Sequence, residues 1–156
     1  MSYLIAKPSE NNINEQKIIY DTSTNFANIT TSVVDIPGTE ISYTPDSNAN
    51  KVIYEVSLHT FHNPDRNTAL NLELFENTGS GYSAMGEYYR ATHVNVRVRY
   101  ELLLNFKFIL PAYSGSRSYK LKARSNGSGN ESRVNKSSSD ETTVIFAPIL
   151  QMYSVV

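Results

Sequence analysis

The feature of the sequence that most constrains the fold is a long alternation of apolar and polar residues between Val94 and Leu110. Every second residue of the stretch VNVRVRYELLLNFKFIL is aliphatic or aromatic, and most residues between them are polar. This period of two is typical of a β-strand with one buried face. Because ordinary strands have about 5–6 residues, we predict a long strand that bends or bulges near Tyr100–Leu103, where Leu103 interrupts the polar face.

Shorter stretches with the same alternation occur along the rest of the chain, for example at residues 51–61, 70–74 and 119–123. They are separated by turns rich in Asn, Ser, Gly and Pro, the residues that turns favour. No window has the apolar spacing of a buried helix face. The pattern predicts an all-β fold, an antiparallel jelly roll or β-sandwich of about eight strands.

The chain has 156 residues, the size of one domain with a core of its own. Residues 1–28 carry scattered apolar side chains among Asn, Ser and Glu, too few to form a core. We predict an extended N-terminal attachment arm at residues 1–28 and a β domain at residues 29–156. The apolar residues expected to attach the arm are Leu4, Ile5, Ile13, Ile18 and Ile19.

Charge and composition argue against several classes of function. With 14 basic and 15 acidic residues the net charge is −1, and we expect no nucleic-acid partner because phosphate binding needs many cations. The chain has no cysteine, which excludes disulfides and thiolate chemistry. The first residues contain only a short apolar run, so we expect neither a signal peptide nor insertion into a membrane.

Catalytic and metal-binding patterns are weak. His59, His62 and Asp65 are close in sequence, but His59 lies on the polar face of a predicted strand and His62 in the loop after it. We expect a solvated strand end there. The sequence has neither a nucleophile elbow nor a phosphate-binding loop. We therefore predict no enzyme activity, no catalytic residue, no metal and no cofactor.

Basic residues recur on the polar faces of two predicted strands and form one patch if those strands are neighbours. We expect a solvated sheet face with local ion pairs; the functional alternatives are a subunit interface and a contact with an acidic capsid surface. The residues concerned are Arg97, Arg99, Lys107, Arg117, Lys120, Lys122 and Arg124.

The last predicted strand, residues 144–156, is apolar on both faces, whereas an antiparallel strand often exposes one face to water. Contact with a neighbouring subunit is the explanation we favour, and cover by the arm is the alternative. The candidate subunit-interface residues are Tyr88, Tyr89, Ile145, Ile149, Tyr153 and Val155. Tyrosines near loops can also stack on sugars. The candidate surface-binding loop residues are His62, Asp65, Arg66, Tyr82, Tyr113 and Arg117.

Several stretches resemble the C-terminal jelly-roll domain of fibre and structural proteins of tailed phages, of the kind found in marine and cyanobacterial phages. They are SYKLKAR at 118–124, RVNKS at 133–137, TTVIFAPILQMYSV at 142–155 and VVDIPGTEISYTPDSNANKVIYEVSL at 33–58. The resemblance covers about residues 28–156 and consists of strand and turn signatures in order. Pro148 interrupts the last strand, which is usually continuous in that family.

The resemblance implies a trimeric jelly roll that forms part of a virion. We expect a non-enzymatic virion structural protein, a homotrimer anchored by its arm to capsid or tail proteins. It would act as a capsid decoration, cement or knob protein, or as a short appendage. One alternative is a tail-fibre tip that recognises a host-surface glycan. Another is a trimeric ligand of the tumour-necrosis-factor or complement C1q type, which shares the jelly roll.

Overall fold

The computed structural model describes residues 13–20, 26–62, 68–93, 100–125, 132–135 and 147–156. The prediction of an all-β fold is confirmed, because every element in these ranges is a strand. The strands are β1 (Ile13–Tyr20), β2 (Ala27–Ile29), β3 (Val34–Asp35), β4 (Ile41–Tyr43), β5 (Lys51–His62), β6 (Thr68–Asn77), β7 (Tyr82–His93), β8 (Tyr100–Pro111), β9 (Arg117–Ser125), β10 (Ser132–Val134) and β11 (Ile149–Val155).

The first sheet is built around β5, and all its strand pairs are antiparallel. Strand β8 pairs with β5 along the whole of β5. The other edge of β5 pairs with β11 and then with β10. Strand β1 lies outside β11, and β2 lies outside β10. Strands β11 and β10 therefore lie end to end along one edge of β5. Strands β1 and β2 lie end to end outside them.

The second sheet is also antiparallel and is built around β9 and β6. Strand β9 pairs with β6 on one edge and with β3 and β4 on the other. Strand β7 lies outside β6, and their register shifts between Glu73 and Phe75. Opposite this shift, Gly86 has φ +74°, a left-handed conformation that glycine adopts at little cost. The glycine therefore lets β7 continue as one strand through a bulge.

The buried faces of the two sheets share one core. Val52, Tyr54 and Val56 are buried on one face of β5, and alternate residues of β6, β8 and β9 join them. The ring of Tyr54 lies 6.5 Å from that of Tyr119 on β9. The Tyr54 hydroxyl donates to the Thr39 carbonyl oxygen at 2.7 Å. The period of two read from the sequence thus identifies the core faces.

The long alternation differs from its prediction in one respect. Strand β7 ends at His93 and β8 begins at Tyr100, and residues 94–99 lie outside the described ranges. The bulge expected near Tyr100–Leu103 is wrong, since β8 stays in unbroken register with β5 from Tyr100 to Pro111. The reason is that β5 is equally long, so the two strands match residue for residue without an insertion.

Both chain ends of the described fold take part in the first sheet. Residues 13–20, within the predicted arm, form β1 and pair with β11 in a register that joins Ile13 to Val155. The expected arm residues Leu4 and Ile5 lie outside the described ranges. Strand β11 begins directly after Pro148, which has no N–H to give to a ladder. The two-faced apolar strand is therefore an inner strand, with β5 on one side and β1 on the other.

Candidate functional site

Three of the six predicted loop residues come together at one end of the second sheet. Tyr82 opposes Asn77, and Asn77 opposes Ser118 next to Arg117. Tyr113 lies in the turn between β8 and β9 that leads to this end. His62 lies at the far end of β5, opposite Tyr100. The candidates Asp65 and Arg66 fall outside the described ranges.

The turn between β6 and β7 owes its shape to one asparagine and two glycines. The Asn77 side-chain oxygen accepts hydrogen bonds from the backbone N–H of Gly79 at 2.8 Å and of Gly81 at 3.1 Å. Both glycines have positive φ, of +116° and +107°, which other residues rarely adopt. The sequence NTGSG thus fixes the start of β7 and the position of Tyr82.

Next to this turn lies a set of residues that we call the tyrosine cluster: Glu76, Tyr113, Arg117 and Tyr119. One carboxylate oxygen of Glu76 accepts from Arg117 Nη1 and from the Tyr119 hydroxyl, each at 2.8 Å. The Arg117 guanidinium lies 4.4 Å from the centre of the Tyr113 ring, within cation–π range. The side chain of Glu76 is 17% exposed, so this charge is held mostly out of water by two donors.

The phenols of the cluster act as donors at neutral pH. Burial, and then the hydrogen bond to Glu76, raise the pKa of Tyr119 well above its ordinary value. Burial also raises the pKa of Tyr113 to about 12. A phenol that stays protonated can hold a carboxylate but is a poor general base. The geometry is therefore that of a rigid polar clamp.

The tyrosine cluster is tied to the first sheet. The Tyr113 hydroxyl donates to the Tyr43 carbonyl oxygen at 3.2 Å. The Tyr43 hydroxyl shares a 2.6 Å hydrogen bond with the Ser154 hydroxyl of β11. The Ser154 oxygen also accepts from the backbone N–H of Asp46 at 3.2 Å. This chain of contacts fixes the end of one sheet against the other.

The outer face of the second sheet carries a lysine–aromatic ladder, formed by Asp35, Phe75, Tyr82, Lys120 and Lys122. The two ammonium groups bind the two oxygens of Asp35, Lys120 at 2.9 Å and Lys122 at 3.3 Å. Lys120 lies 4.2 Å from the centre of the Tyr82 ring, and Lys122 lies 4.6 Å from that of Phe75. The hydrogen bond from Lys120 is the main reason why the pKa of Asp35 is lowered.

Tyr82 reaches beyond the ladder to Glu40. Its hydroxyl donates to Glu40 Oε1 at 2.7 Å. Burial and, after it, the hydrogen bond to this carboxylate raise the pKa of Tyr82 to about 12. The predicted loop residue is therefore engaged within the chain, with its ring partly covered by Lys120.

The predicted basic residues do not form one patch, because β8 belongs to the first sheet and β9 to the second. The expected local ion pairs are confirmed for Lys107, Lys120 and Lys122. Lys107 lies 3.8 Å from Glu55 of the neighbouring strand β5. Arg97 and Arg99 lie outside the described ranges.

The predicted subunit-interface residues are spread over both sheets. Tyr153 is 8% exposed and donates to Glu55 Oε2 at 3.3 Å, while Ile149 is 47% exposed and Val155 half-buried. Tyr88 and Tyr89 lie on β7, opposite residues 73 and 72. Ile145 falls outside the described ranges.

Three residues that were not predicted as site residues are prominent in the structure. Leu103 and Ile109 are 67% and 61% exposed on the outer face of β8. The sequence does indicate these two residues, because both are apolar at positions where the alternation places polar residues. Glu76 is charged, yet it continues the period of residues 70, 72 and 74. That period places it on the inner face, where the tyrosine cluster lies.

His59 and His62 lie on the described strand β5, and Asp65 lies outside the described ranges. His59 is half-buried on β5, and the residues described contain no group of three or more His, Cys, Asp or Glu side chains placed to hold a metal ion. In the same ranges there is no helix long and apolar enough to cross a membrane. No protein-family model matches the chain, and no curated protein matches it.

Proposed function

We propose that this chain is a jelly-roll structural protein of a tailed-phage virion. The observation that supports this proposal is the order of the strands in the two sheets. In a jelly roll of eight strands, the first strand lies beside the last, the last beside the third and the third beside the sixth. The second sheet has the order second, seventh, fourth and fifth. Viral capsid proteins and lectins use this architecture.

The strand segments fit this order when those that follow one another along the same edge are counted as one strand. Strands β10 and β11 pair with successive parts of one edge of β5, and β1 and β2 lie outside them. Strands β3 and β4 pair with successive parts of one edge of β9. The merged strands give the order β1/β2, β10/β11, β5, β8 in one sheet and β3/β4, β9, β6, β7 in the other.

The sequence resemblance supports a specific role for a protein with this architecture. It covers about residues 28–156, a range that leaves out β1 of the first sheet, and it implies a homotrimer that assembles with capsid or tail proteins. The ion pairs of the tyrosine cluster and of the lysine–aromatic ladder support a rigid scaffold. In such a scaffold, three attached copies would add their binding energies at one particle surface. The role is decoration, cement or knob of the head, or a short appendage of the tail.

A variant that tests attachment by the N-terminal arm must leave the first sheet intact. A deletion of residues 1–28 removes β1 and most of β2, so its failure to bind could reflect misfolding. A deletion of residues 1–12 keeps both strands. We expect the shorter deletion to fold, by circular dichroism, and to be absent from purified particles. Full incorporation of the shorter variant would contradict attachment by the arm.

The location of the protein tests the virion role itself. Antibodies against the purified chain, applied to intact phage particles in electron microscopy, should label the head or the tail at symmetric positions. Mass spectrometry of gradient-purified particles should find the chain at a fixed copy number. If it is missing from particles and present only in the lysate, the virion proposal is wrong.

A second candidate function is recognition of a host-surface glycan. It is favoured by the gathering of Tyr82, Tyr113 and Arg117 at one end of the second sheet, because aromatic rings can stack on sugars. A glycan array with the whole chain, compared with a Tyr113→Ala variant, tests this role. Binding that falls in the variant supports it, and an array without any bound glycan counts against it.

A further inference from the structure

Three tyrosine rings form a row that runs from the core towards the surface. Tyr54 and Tyr119 are fully buried, and their ring centres lie 6.5 Å apart. Tyr113 is half-buried in the turn after β8, and its ring centre lies 5.9 Å from that of Tyr119. These separations are those of aromatic rings that pack together, so an electron can pass from one tyrosine to the next. Tyr113 therefore connects the buried pair to solvent.

The three phenols differ in the group that accepts their hydrogen bond. Tyr54 and Tyr113 each donate to a backbone carbonyl oxygen, at 2.7 Å and 3.2 Å. A peptide carbonyl does not hold a transferred proton at neutral pH. Tyr119 donates at 2.8 Å to a carboxylate oxygen of Glu76, which can take up a proton. Because a phenol that loses an electron becomes a strong acid, Tyr119 is the member of this row that gives up an electron most easily.

The charges of the tyrosine cluster favour the same residue. The Arg117 guanidinium lies 4.4 Å from the centre of the Tyr113 ring, and its positive charge opposes the loss of an electron there. The Glu76 carboxylate beside the Tyr119 hydroxyl has the opposite sign and favours the loss. Tyr119 is also fully buried, so an oxidised Tyr119 cannot couple with a tyrosine of another molecule.

We propose that Tyr119 and Glu76 form a one-electron redox site, and that Tyr113 relays the electron between Tyr119 and a small oxidant or reductant in solution. A one-electron oxidant, such as the carbonate radical, takes one electron and is reduced. Tyr119 becomes a neutral phenoxyl radical as its O–H bond breaks, and the proton forms a new O–H bond on Glu76. A one-electron reductant such as ascorbate reverses both transfers. The site does not depend on the proposed virion role.

Photo-oxidation of the natural chain tests this site. The probe is a ruthenium trisbipyridine complex with persulfate, which gives a trivalent ruthenium oxidant in light. We expect a tyrosyl radical that outlives the radical of free tyrosine by about tenfold or more. Its electron paramagnetic resonance spectrum should show the proton shared with Glu76, and this coupling should disappear in deuterium oxide. A radical as short-lived as that of free tyrosine, or one without this proton, overturns the proposal.

Two variants locate the radical, and circular dichroism checks that each is folded. Tyr119→Phe removes the phenol, and Glu76→Gln keeps an acceptor oxygen but cannot take up the proton. Both should lose the long-lived radical. Tyr82→Phe is the matched control, because Tyr82 also donates to a carboxylate but at an exposed position, and this variant should keep the radical. Loss of the radical in Tyr82→Phe, or its survival in Tyr119→Phe, overturns the assignment. If a variant does not fold, the exchangeable proton in the natural chain still decides.

The relay is tested by Tyr113→Phe, because the oxidant does not oxidise phenylalanine. The radical at Tyr119 should form about tenfold more slowly in this variant. Its lifetime should not become shorter, because the contact between Tyr119 and Glu76 is retained. An unchanged rate of formation would exclude Tyr113 as the relay.

Cross-linking between molecules measures the consequence of holding the radical in the interior. Under the same illumination, the natural chain should form less dityrosine-linked dimer than Tyr119→Phe, in which oxidation remains on exposed tyrosines. Equal or greater linking in the natural chain would show that Tyr119 does not hold the oxidation. None of these outcomes depends on whether the protein belongs to a virion.

Discussion

Glu76 is the residue on which the tyrosine cluster depends, because one of its oxygens accepts from both Arg117 and Tyr119. The alternation of residues 70–76 could have placed it on the inner face. Its partners could not be predicted, because Arg117 and Tyr119 are some forty residues away and reach it only through the β6–β9 register. The sequence therefore indicated which residue types the site contains, but not which of them contact one another.

The first prediction compares two tyrosine–glutamate hydrogen bonds. Tyr119→Phe removes a donor from the largely buried Glu76, and Tyr82→Phe removes one from Glu40 at an exposed position. We expect Tyr119→Phe to lower the free energy of unfolding by about 1.5–3 kcal/mol, the range for hydrogen bonds to charged groups. Tyr82→Phe should cost less than about 0.5 kcal/mol. Urea unfolding measures both, and equal losses would contradict the role of burial.

The second prediction concerns acid and the pair of lysines at Asp35. The pKa of Asp35 is lowered in the folded chain below its ordinary value of 3.8, so its stabilising contribution is present above that pH and disappears as the pH falls through the lower folded value. Asp35→Asn should therefore lower stability slightly at pH 7, by less than about 1 kcal/mol because the carboxylate is exposed. Below its folded pKa the two proteins should unfold alike. A difference that persists unchanged in strong acid would refute this account.

At the level of strands, periodicity predicted β5, β6, β8 and β9, because their alternate residues are buried in one core. It did not reveal β1, whose sequence INEQKIIY has few apolar residues and whose partner β11 lies at the other end of the chain. A period of two shows which residues share one face of a strand, but it does not show where an edge strand stops pairing with its neighbour.

The third prediction belongs to the bulge in β7. Gly86 has a left-handed φ, and a Cβ added there would meet no atom of the described residues within 4 Å. Substitution should cost backbone strain and not a clash. We expect Gly86→Val to destabilise by about 1–2 kcal/mol and Gly86→Asn by less, since asparagine tolerates this conformation better than β-branched residues. Thermal unfolding compares them, and a larger loss for asparagine would exclude strain as the cause.

For the whole molecule, the sequence predicted an antiparallel all-β fold but not how the two sheets are joined at their ends. The hydroxyl pair of Tyr43 and Ser154 links β4 of one sheet to β11 of the other, and both residues are buried. Their separation in sequence is 111 positions. No local pattern predicts such a contact, because it exists only after both sheets have assembled.

The fourth prediction tests this link with a double-mutant cycle. Ser154→Ala removes the hydroxyl that is hydrogen-bonded to the buried Tyr43 hydroxyl, and should cost about 1–3 kcal/mol. Tyr43→Phe removes the other half of the pair. The double variant should cost less than the sum of the single variants, with a coupling of at least about 0.5 kcal/mol. Strictly additive losses, measured by denaturant unfolding, would show that the two hydroxyls do not act as a pair.

The pairing of β1 with β11 also has a consequence for the time order of folding. These strands come from opposite ends of the described chain, with Ile13 beside Val155. During synthesis, β1 leaves the ribosome early and must wait for Ile149–Val155 before its ladder can form. Contacts this distant in sequence slow folding, because the closure of a large loop precedes any gain from the contact. The first sheet is thus completed only after translation of the last strand.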